Sequence, residues 1–464
     1  MENSQDGFDE GMKLIREVLK EMKELYLNDE KPWVIGFSGG KDSTCVVQLV
    51  FRLLEELPSE KRHKKIHIVS NDTLVENPIL EKRISKSLKK MREVARKKDL
   101  PIVAKKLKPK LEDTFWVNII GRGYPCPNRW FRWCTDRLKI KPTTSYIEKK
   151  VEEQGEVIVV LGARKEESAS RAQTMDDYSI PEYNLRGHSD INRAFIYTPI
   201  EDWSSEEVWD YLNKSESTWG GDNQELMKLY KKAEAVARPM QIDKSTPPTS
   251  GGRFGCWTCT VVGEDKSSKN LIESGEEWLE PLLEFRNWLK EIRNDSSKRQ
   301  SMRKNDQKRK IKAKKMGREF NPTERGGHQV QGPFTFETRY EILSRLMELQ
   351  EEMTDRGIDI QLISPQELKA IETIWIYEGA DITSITEILD LKDSEDKNWE
   401  SGSIHEKESK VLEEVSKKYD LSPELIERLL IVENDLSNLS RRTGIYKRLD
   451  KIIESQALKE FEEE

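Results

Sequence analysis

The apolar run Val34-Ile35-Gly36-Phe37 passes through Ser38 into the glycine pair Gly39-Gly40, and the chain then takes up helical spacing from Ser43 to Leu57. Few local structures satisfy such a passage. Glycines let backbone N–H groups come close to an anion, and a helix that starts just afterwards adds further donors and the positive end of its dipole. A strand, a turn of phosphate size and a helix are thereby set in order. Ser38, Lys41 and Ser43 can add hydroxyl and ammonium contacts, with Lys41 and Asp42 expected at a surface turn. The spacing is not that of a Walker loop, so a Walker-type γ-phosphate site is not indicated. The plain alternative is a glycine turn that only joins strand to helix.

Around this point, short apolar runs alternate with amphipathic segments: Trp33 to Phe37 and Ser43 to Leu57, Ile66 to Ser70 and Pro78 to Lys98, Pro101 to Leu107, then Val157 to Leu161. The alternation predicts an α/β fold with a parallel sheet and helices on both faces. Ligands of such sheets bind at the carboxyl ends of the strands, where the loops after Phe37, Ser70 and Leu161 should meet. Five parts are expected. They are an N-terminal helix (1–30), the nucleotide-binding domain (31–215), a cysteine-bearing metal-site segment with a basic insertion (216–330), a helical segment (331–390), and a linker with C-terminal helices (391–464).

Charge makes up 35% of the residues and sums to −7, which does not favour nucleic acid overall. It is segregated, however. Lys and Arg crowd Arg286 to Arg325, and Asp and Glu dominate from Asp390 onward. Ser296 to Glu324 reads as a mobile or solvated basic insertion, and Lys298 to Arg318 within it can either track a phosphate backbone or form a solvated face. The charged N-terminus and the lack of any run of about 18 apolar residues predict a cytoplasmic protein without a membrane anchor.

The six residues Ser38 to Ser43 match in full the S-G-G-x-D-S motif of the PP-loop ATP pyrophosphatases, which this part of the chain resembles. A second likeness, to the phosphoadenylylsulfate reductase branch, rests on Leu161-Gly162-Ala163-Arg164-Lys165-Glu166-Glu167-Ser168-Ala169-Ser170-Arg171, Tyr197-Thr198-Pro199-Ile200-Glu201-Asp202-Trp203-Ser204 and Val208-Trp209. The resemblance implies that Ser38, Gly39, Gly40, Lys41, Asp42 and Ser43 hold the pyrophosphate of ATP while its α-phosphate passes to an acceptor. Gly162 opens the loop that carries Arg164 and Arg171. Their guanidinium groups can clamp phosphate oxygens or pair with Glu166 and Glu167 at the surface. Asp72, at the end of the second strand, either meets adenosine or Mg²⁺ or forms a turn. Asp202-Trp203-Ser204-Ser205 with Glu207 reads as a helix cap beside an aromatic anchor.

Four of the five cysteines form two tight pairs, Cys126 with Cys134 and Cys256 with Cys259. Thiolate pairs from distant segments can build a four-thiolate site for Zn²⁺ or for an iron-sulfur cluster, and a redox-active C-x-x-C dithiol is the remaining alternative. The fifth, Cys45, reads as a buried helix residue. Phe131-Arg132-Trp133-Cys134-Thr135-Asp136-Arg137-Leu138-Lys139 and Gly255-Cys256-Trp257-Thr258-Cys259-Thr260, alongside the Ser38 loop, resemble the sulfurtransferases of the bacterial Dnd DNA phosphorothioation system (DndC-like). That likeness covers residues 31 to about 380. It implies a [4Fe-4S] cluster, conversion of ATP to AMP and pyrophosphate, and DNA, a cysteine desulfurase and other phosphorothioation proteins as partners. Cys134, Cys256 and Cys259 sit in the matching motifs, so Cys126 supplies the fourth thiolate or an iron stays open. Thiolation of a tRNA base and a zinc-stabilised nucleic-acid-binding module are the other functional readings.

Overall fold

Strand β1 (Trp33–Gly36) is buried at every position. A strand covered on both faces needs apolar residues at successive positions rather than alternate ones, as its sequence provides. It pairs in parallel with β2 (Ile66–Asn71) on one side and β4 (Val157–Val160) on the other. Beyond β2 lies β3 (Ile102–Leu107), and beyond β4 lies β7 (Ala194–Tyr197), both parallel. The computed structural model describes residues 2–167, 179–180, 185–233, 255–325, 328–378 and scattered positions between 414 and 453.

The full order is β3-β2-β1-β4-β7-β6-β5. The predicted parallel sheet is thus present, with an antiparallel edge added by β6 (Leu185–Gly187) and β5 (Ser179–Ile180). The order reverses at β1: the chain runs outward through β2 and β3, then returns to place β4 on the opposite side. The crevice above the carboxyl ends of β1 and β4 is the place where open α/β sheets bind ligands.

Helices cover the sheet. Val34, Val69, Leu107, Val157 and Val159 pack with Ile147 of α4 (Lys141–Gln154), whereas α2 (Lys41–Glu56) packs against α1 (Glu2–Asn28) and α5 (Ser205–Lys214). Helix α3 (Pro78–Lys97) starts with Pro78 in its first turn and Asn77 as its cap, the Asn77 side chain accepting from Ile79 N–H. The expected cap before α5 is also present. Ser204 and Glu207 form a reciprocal capping box, and Trp203 beside them is buried. Later elements are α6 (Asn223–Ala233), α7 (Lys266–Glu273) and α8 (Glu280–Ile292).

The chain divides into two compact units, one of residues 1–115, 125–298 and 349–362, the other of 116–124, 299–348 and 363–464. The second unit contains α9 (Lys304–Lys315), most of α10 (Phe336–Asp355), and α11 (Pro365–Glu378). Within it the Trp375 indole donates to Ile120 O at 2.9 Å and the Arg339 guanidinium to Gly121 O at 2.7 Å. The basic stretch expected as a loose insertion is helical over Lys304–Lys315. Lys and Arg are good helix formers, and Asp306 in the first turn is buried among Arg303, Arg309 and Thr323. The linker with C-terminal helices expected over 391–464 lies mostly outside the described residues. Among the described residues, no helix is long and apolar enough to cross a membrane.

Candidate active site

The turn after β1 is held by hydroxyls. Ser38 N–H donates to Ser43 Oγ at 3.2 Å, Gly40 N–H to Ser38 Oγ at 3.4 Å, and Ser43 Oγ to Gly40 O at 3.1 Å, with the two Oγ atoms 3.1 Å apart. These contacts are long for hydroxyl oxygens, so phosphate oxygens can replace them at little cost. Gly39 has φ +72° and a Cβ there would lie 2.6 Å from Ile84 Cγ1, so the turn needs glycine for both backbone shape and space. Gly40 caps α2.

Lys41 and Asp42 are not at a surface turn: they are 3% and 5% exposed. The loop after β4 closes over the start of α2. A Cβ on Gly162 would stand 2.7 Å from Asp42 C, 2.8 Å from Asp42 O and 2.8 Å from Ser43 N. Only glycine lets these backbones approach, and that approach brings Arg164 to Asp42. Asp42 Oδ1 receives Lys41 Nζ and Arg164 Nε, each at 2.7 Å. Arg164 Nη1 donates to Glu166 Oε2 at 2.6 Å and to Trp203 O at 3.3 Å. The expected pairing with Glu166 therefore exists, but on a buried guanidinium rather than at the surface. Burial lowers the Lys41 pKa and Asp42 opposes that shift. Arg164 holds the Glu166 carboxyl below the usual range. Arg171 lies outside the described residues.

Two residues of this site carried no sequence signal. Arg83 of α3 donates to Gly39 O at 2.6 Å, and the Tyr230 hydroxyl of α6 accepts from Lys41 N–H at 3.3 Å. Arg83 sits two turns into a helix with ordinary amphipathic spacing, and Tyr230 is 189 residues from its partner, so only tertiary packing reveals them. Asp72 makes the turn that was one of its two readings: Oδ1 accepts from Leu74 N–H at 3.0 Å, with Lys106 and Lys108 Nζ at 3.7 and 4.0 Å from Oδ2. Asp202 pairs with Lys165, in keeping with a surface role.

The cysteine segments are clasped together. Thr260 Oγ1 donates to Pro127 O at 2.7 Å, and Arg293 Nη1 bonds both Pro127 O and Thr260 O, at 3.1 and 2.6 Å. Trp257 N–H donates to Val75 O, which ties the C-x-x-C to the loop after β2. Arg286, fully buried, donates to Cys259 O at 2.8 Å and also to Val262 O and Gly263 O. Burial pushes the Cys134 thiol up to about 11 and the Cys256 thiol up to about 12, with Cys259 a further cause in both and Glu76 ahead of it at Cys256. Cys126 is buried. This donor set suits a thiolate-bound metal in kind. Among the described residues, however, no three His, Cys, Asp or Glu side chains stand close enough together to hold an ion. Cys45 is buried in α2 as expected, its thiol raised by burial.

A mostly parallel sheet whose order reverses beside a glycine-hydroxyl turn defines a nucleotide-binding α/β protein of the PP-loop kind. More specifically, residues 32–262, nearly half of the chain, match the phosphoadenosine phosphosulfate reductase domain, which supports the PP-loop superfamily for this part of the chain. Residues 407–454, mostly outside the described residues, match a small protein found in certain Dnd DNA modification systems, which links the chain to those systems. Two uncharacterized proteins of Methanocaldococcus jannaschii are 27% and 25% identical over 57% and 42% of this chain. The chain spans 44% and 39% of their own lengths, less than half of each. Among solved structures, a U34-tRNA thiolase of Methanococcus maripaludis with its [4Fe-4S] cluster aligns with TM-score 0.28 and 13% identity, covering 60% of this chain and 80% of that one. An FMN adenylyltransferase of Candida glabrata with FAD and pyrophosphate aligns with TM-score 0.26 and 13% identity, covering 44% and 58%.

Proposed function

We propose that this chain is an ATP pyrophosphatase-type sulfurtransferase that adenylates a DNA backbone phosphate so that sulfur can replace an oxygen there. One observation carries the reading: a PP-loop domain of the phosphoadenosine phosphosulfate reductase type and a Dnd-type segment share a single chain. The first supports the ATP chemistry and the second supports DNA as its object.

In this reading ATP enters as its Mg²⁺ complex, and the β and γ phosphates displace the long contacts among Ser38, Gly40 and Ser43. Lys41 turns from Asp42 to the phosphates, while Arg164 remains on Asp42 and keeps that carboxylate compensated. A non-bridging oxygen of the DNA phosphodiester attacks the α-phosphorus. The bond to the bridging oxygen breaks and pyrophosphate leaves, stabilised by Lys41 and, in this proposal, by Arg171, while Arg164 acts through Asp42. AMP is now the leaving group. A sulfide attacks the DNA phosphorus, P–S forms, and the displaced oxygen departs with AMP. Drawing that sulfide from a cysteine desulfurase persulfide takes two electrons from a thiol reductant.

Cys126, Cys134, Cys256 and Cys259 would hold the metal group, with Asp72 the candidate nearest the strand ends for Mg²⁺. A bound [4Fe-4S] cluster would supply iron able to carry sulfide, whereas Zn²⁺ would supply structure alone. Other phosphorothioation proteins and the cysteine desulfurase are the proposed partners, in the cytoplasm. The test is product analysis. Purified protein with ATP and DNA should release AMP and pyrophosphate, and Lys41→Ala should lower that rate about 10²–10³-fold, the range for loss of one preorganised charge-stabilising donor. ADP with phosphate would refute the reaction. Mass spectrometry of nucleosides from cells with and without the gene should find sulfur in DNA linkages; sulfur in tRNA alone would move the reading to base thiolation.

A further inference from the structure

The turn between Cys126 and Cys134 holds two aromatic residues with opposite fates. Trp133 is buried, stacks on Phe115 at 5.6 Å between ring centroids, and donates its indole N–H to Pro125 O at 3.0 Å. Trp130 is 91% exposed, with Phe131 beside it at 43%. A tryptophan exposed to this degree forgoes the large apolar burial its side chain offers, and with Phe131 beside it the two rings form a contiguous exposed aromatic surface. The tip is also built. Asn128 Oδ1 accepts the N–H groups of Trp130 at 2.8 Å and Phe131 at 2.9 Å, while Asn128 and Phe131 exchange two backbone hydrogen bonds at 3.3 Å. Arg129 is exposed and Arg132 partly so, and neither is ion-paired to a described residue. The turn therefore presents one exposed ring, on a backbone held by hydrogen bonds, beside two uncommitted cations.

We infer that Trp130 is a base-stacking platform for the nucleic-acid strand, with Arg129 and Arg132 on the phosphates to either side. The inference rests on the proposed function and names how that substrate is held. Arginine and tryptophan also occur together at protein interfaces, so the polyanionic substrate of the proposed function decides for a nucleic acid: single-strand binders combine aromatic rings with basic groups that follow the backbone. Every base has a face, so stacking on Trp130 holds the strand without reading its sequence. A base can lie on the ring only when it is out of its own stack. The contact therefore favours unpaired or extruded nucleotides over an intact duplex.

The experiment is fluorescence anisotropy of the full chain with a labelled single-stranded oligonucleotide and with the matching duplex, over a range of salt. Trp130→Ala should weaken single-strand binding roughly 5- to 100-fold, the worth of one stacked base, and weaken duplex binding less. Trp130→Phe should restore most of the loss because the ring face remains. Arg129→Gln and Arg132→Gln should each lower the salt slope by about 0.7, the single-strand value per phosphate contact. Circular dichroism confirms that each variant is folded. Unchanged affinity in Trp130→Ala overturns the inference and leaves the proposed function standing, whereas a wild-type chain that binds no nucleic acid overturns both. Loss of self-association with oligonucleotide affinity intact would identify the turn as a protein interface and likewise overturn the inference.

Discussion

The phosphate loop and the cysteine region sit on the same unit but are assembled in opposite ways. The loop takes its shape from Ser38 to Ser43, six successive residues that bond to one another. The cysteine region is made from Cys126 and Cys134 on one segment and Cys256 and Cys259 on another, joined by Thr260 and Arg293, which reach to the Pro127 carbonyl, while Arg286 fixes the second segment alone. A locally encoded turn keeps its form if its long-range partners are altered; a region clasped from afar does not. The two should therefore fail differently when cut.

The largest effect is expected where the loop does depend on distant packing. Asp42 neutralises Lys41 and Arg164 while all three are buried. Asp42→Ala leaves two cations enclosed, with Glu166 on Arg164 as the remaining ion-pair partner, and breaking a buried pair in this way costs about 3–5 kcal/mol. Chemical denaturation should record that loss, together with loss of pyrophosphate release. A variant as stable as the parent would mean that water reaches the site and the three charges are not truly enclosed.

The cysteine region comes next. Ser at Cys134, Cys256 or Cys259 should abolish metal uptake, and the chain should lose stability because binding and folding are coupled there. Anaerobically purified parent protein should be brown, with about four irons and four sulfides if the group is cubane. Cys126→Ser separates the two ways of completing the site: a colourless product makes Cys126 the fourth ligand, and a coloured, oxygen-sensitive one leaves an iron open. A colourless parent with stoichiometric zinc would refute the cluster.

The same contrast governs what could be read in advance. The strand-turn-helix at Trp33 to Leu57 was legible because hydrophobic runs, glycines and caps act over a few residues. The meeting of the β1 and β4 loops followed from the α/β pattern. The burial of Lys41 and Asp42 was not legible, because it depends on Gly162 passing within contact of their backbone from a strand more than a hundred residues away. Helix α9 was missed for another reason: with Lys and Arg nearly throughout, it has no apolar stripe, and its anchor is the single buried carboxylate of Asp306.

Gly162→Ala tests that approach with a smaller change. The added methyl would press on Asp42 and Ser43 backbone atoms, which cannot swing aside as a flexible side chain can. Overpacking of this kind costs about 1–3 kcal/mol. The strain falls on the first turn of α2, so the Michaelis constant for ATP should rise more than stability falls. Normal ATP kinetics with reduced stability would show that the phosphates do not depend on this close approach.

The smallest effect belongs to Tyr230. Its hydroxyl accepts from Lys41 N–H at 3.3 Å, a long neutral contact whose net worth is about 0.5–1.5 kcal/mol at most. That N–H stands at the start of α2, where helix donors face an incoming anion. A phosphate oxygen, being charged, is the stronger acceptor, so ATP should take the N–H and release the hydroxyl. Tyr230→Phe then removes a competitor of the nucleotide rather than a ligand to it. Stability should drop by no more than about 1 kcal/mol, and ATP affinity should hold or rise by up to a few-fold. If the hydroxyl instead moves onto the phosphates, the same variant weakens ATP binding and slows pyrophosphate release together. Isothermal titration with a non-hydrolysable ATP analogue, alongside the steady-state rate, distinguishes the two. A tenfold loss in both would make Tyr230 part of the phosphate site and would show that even this locally encoded loop is completed from a distant helix.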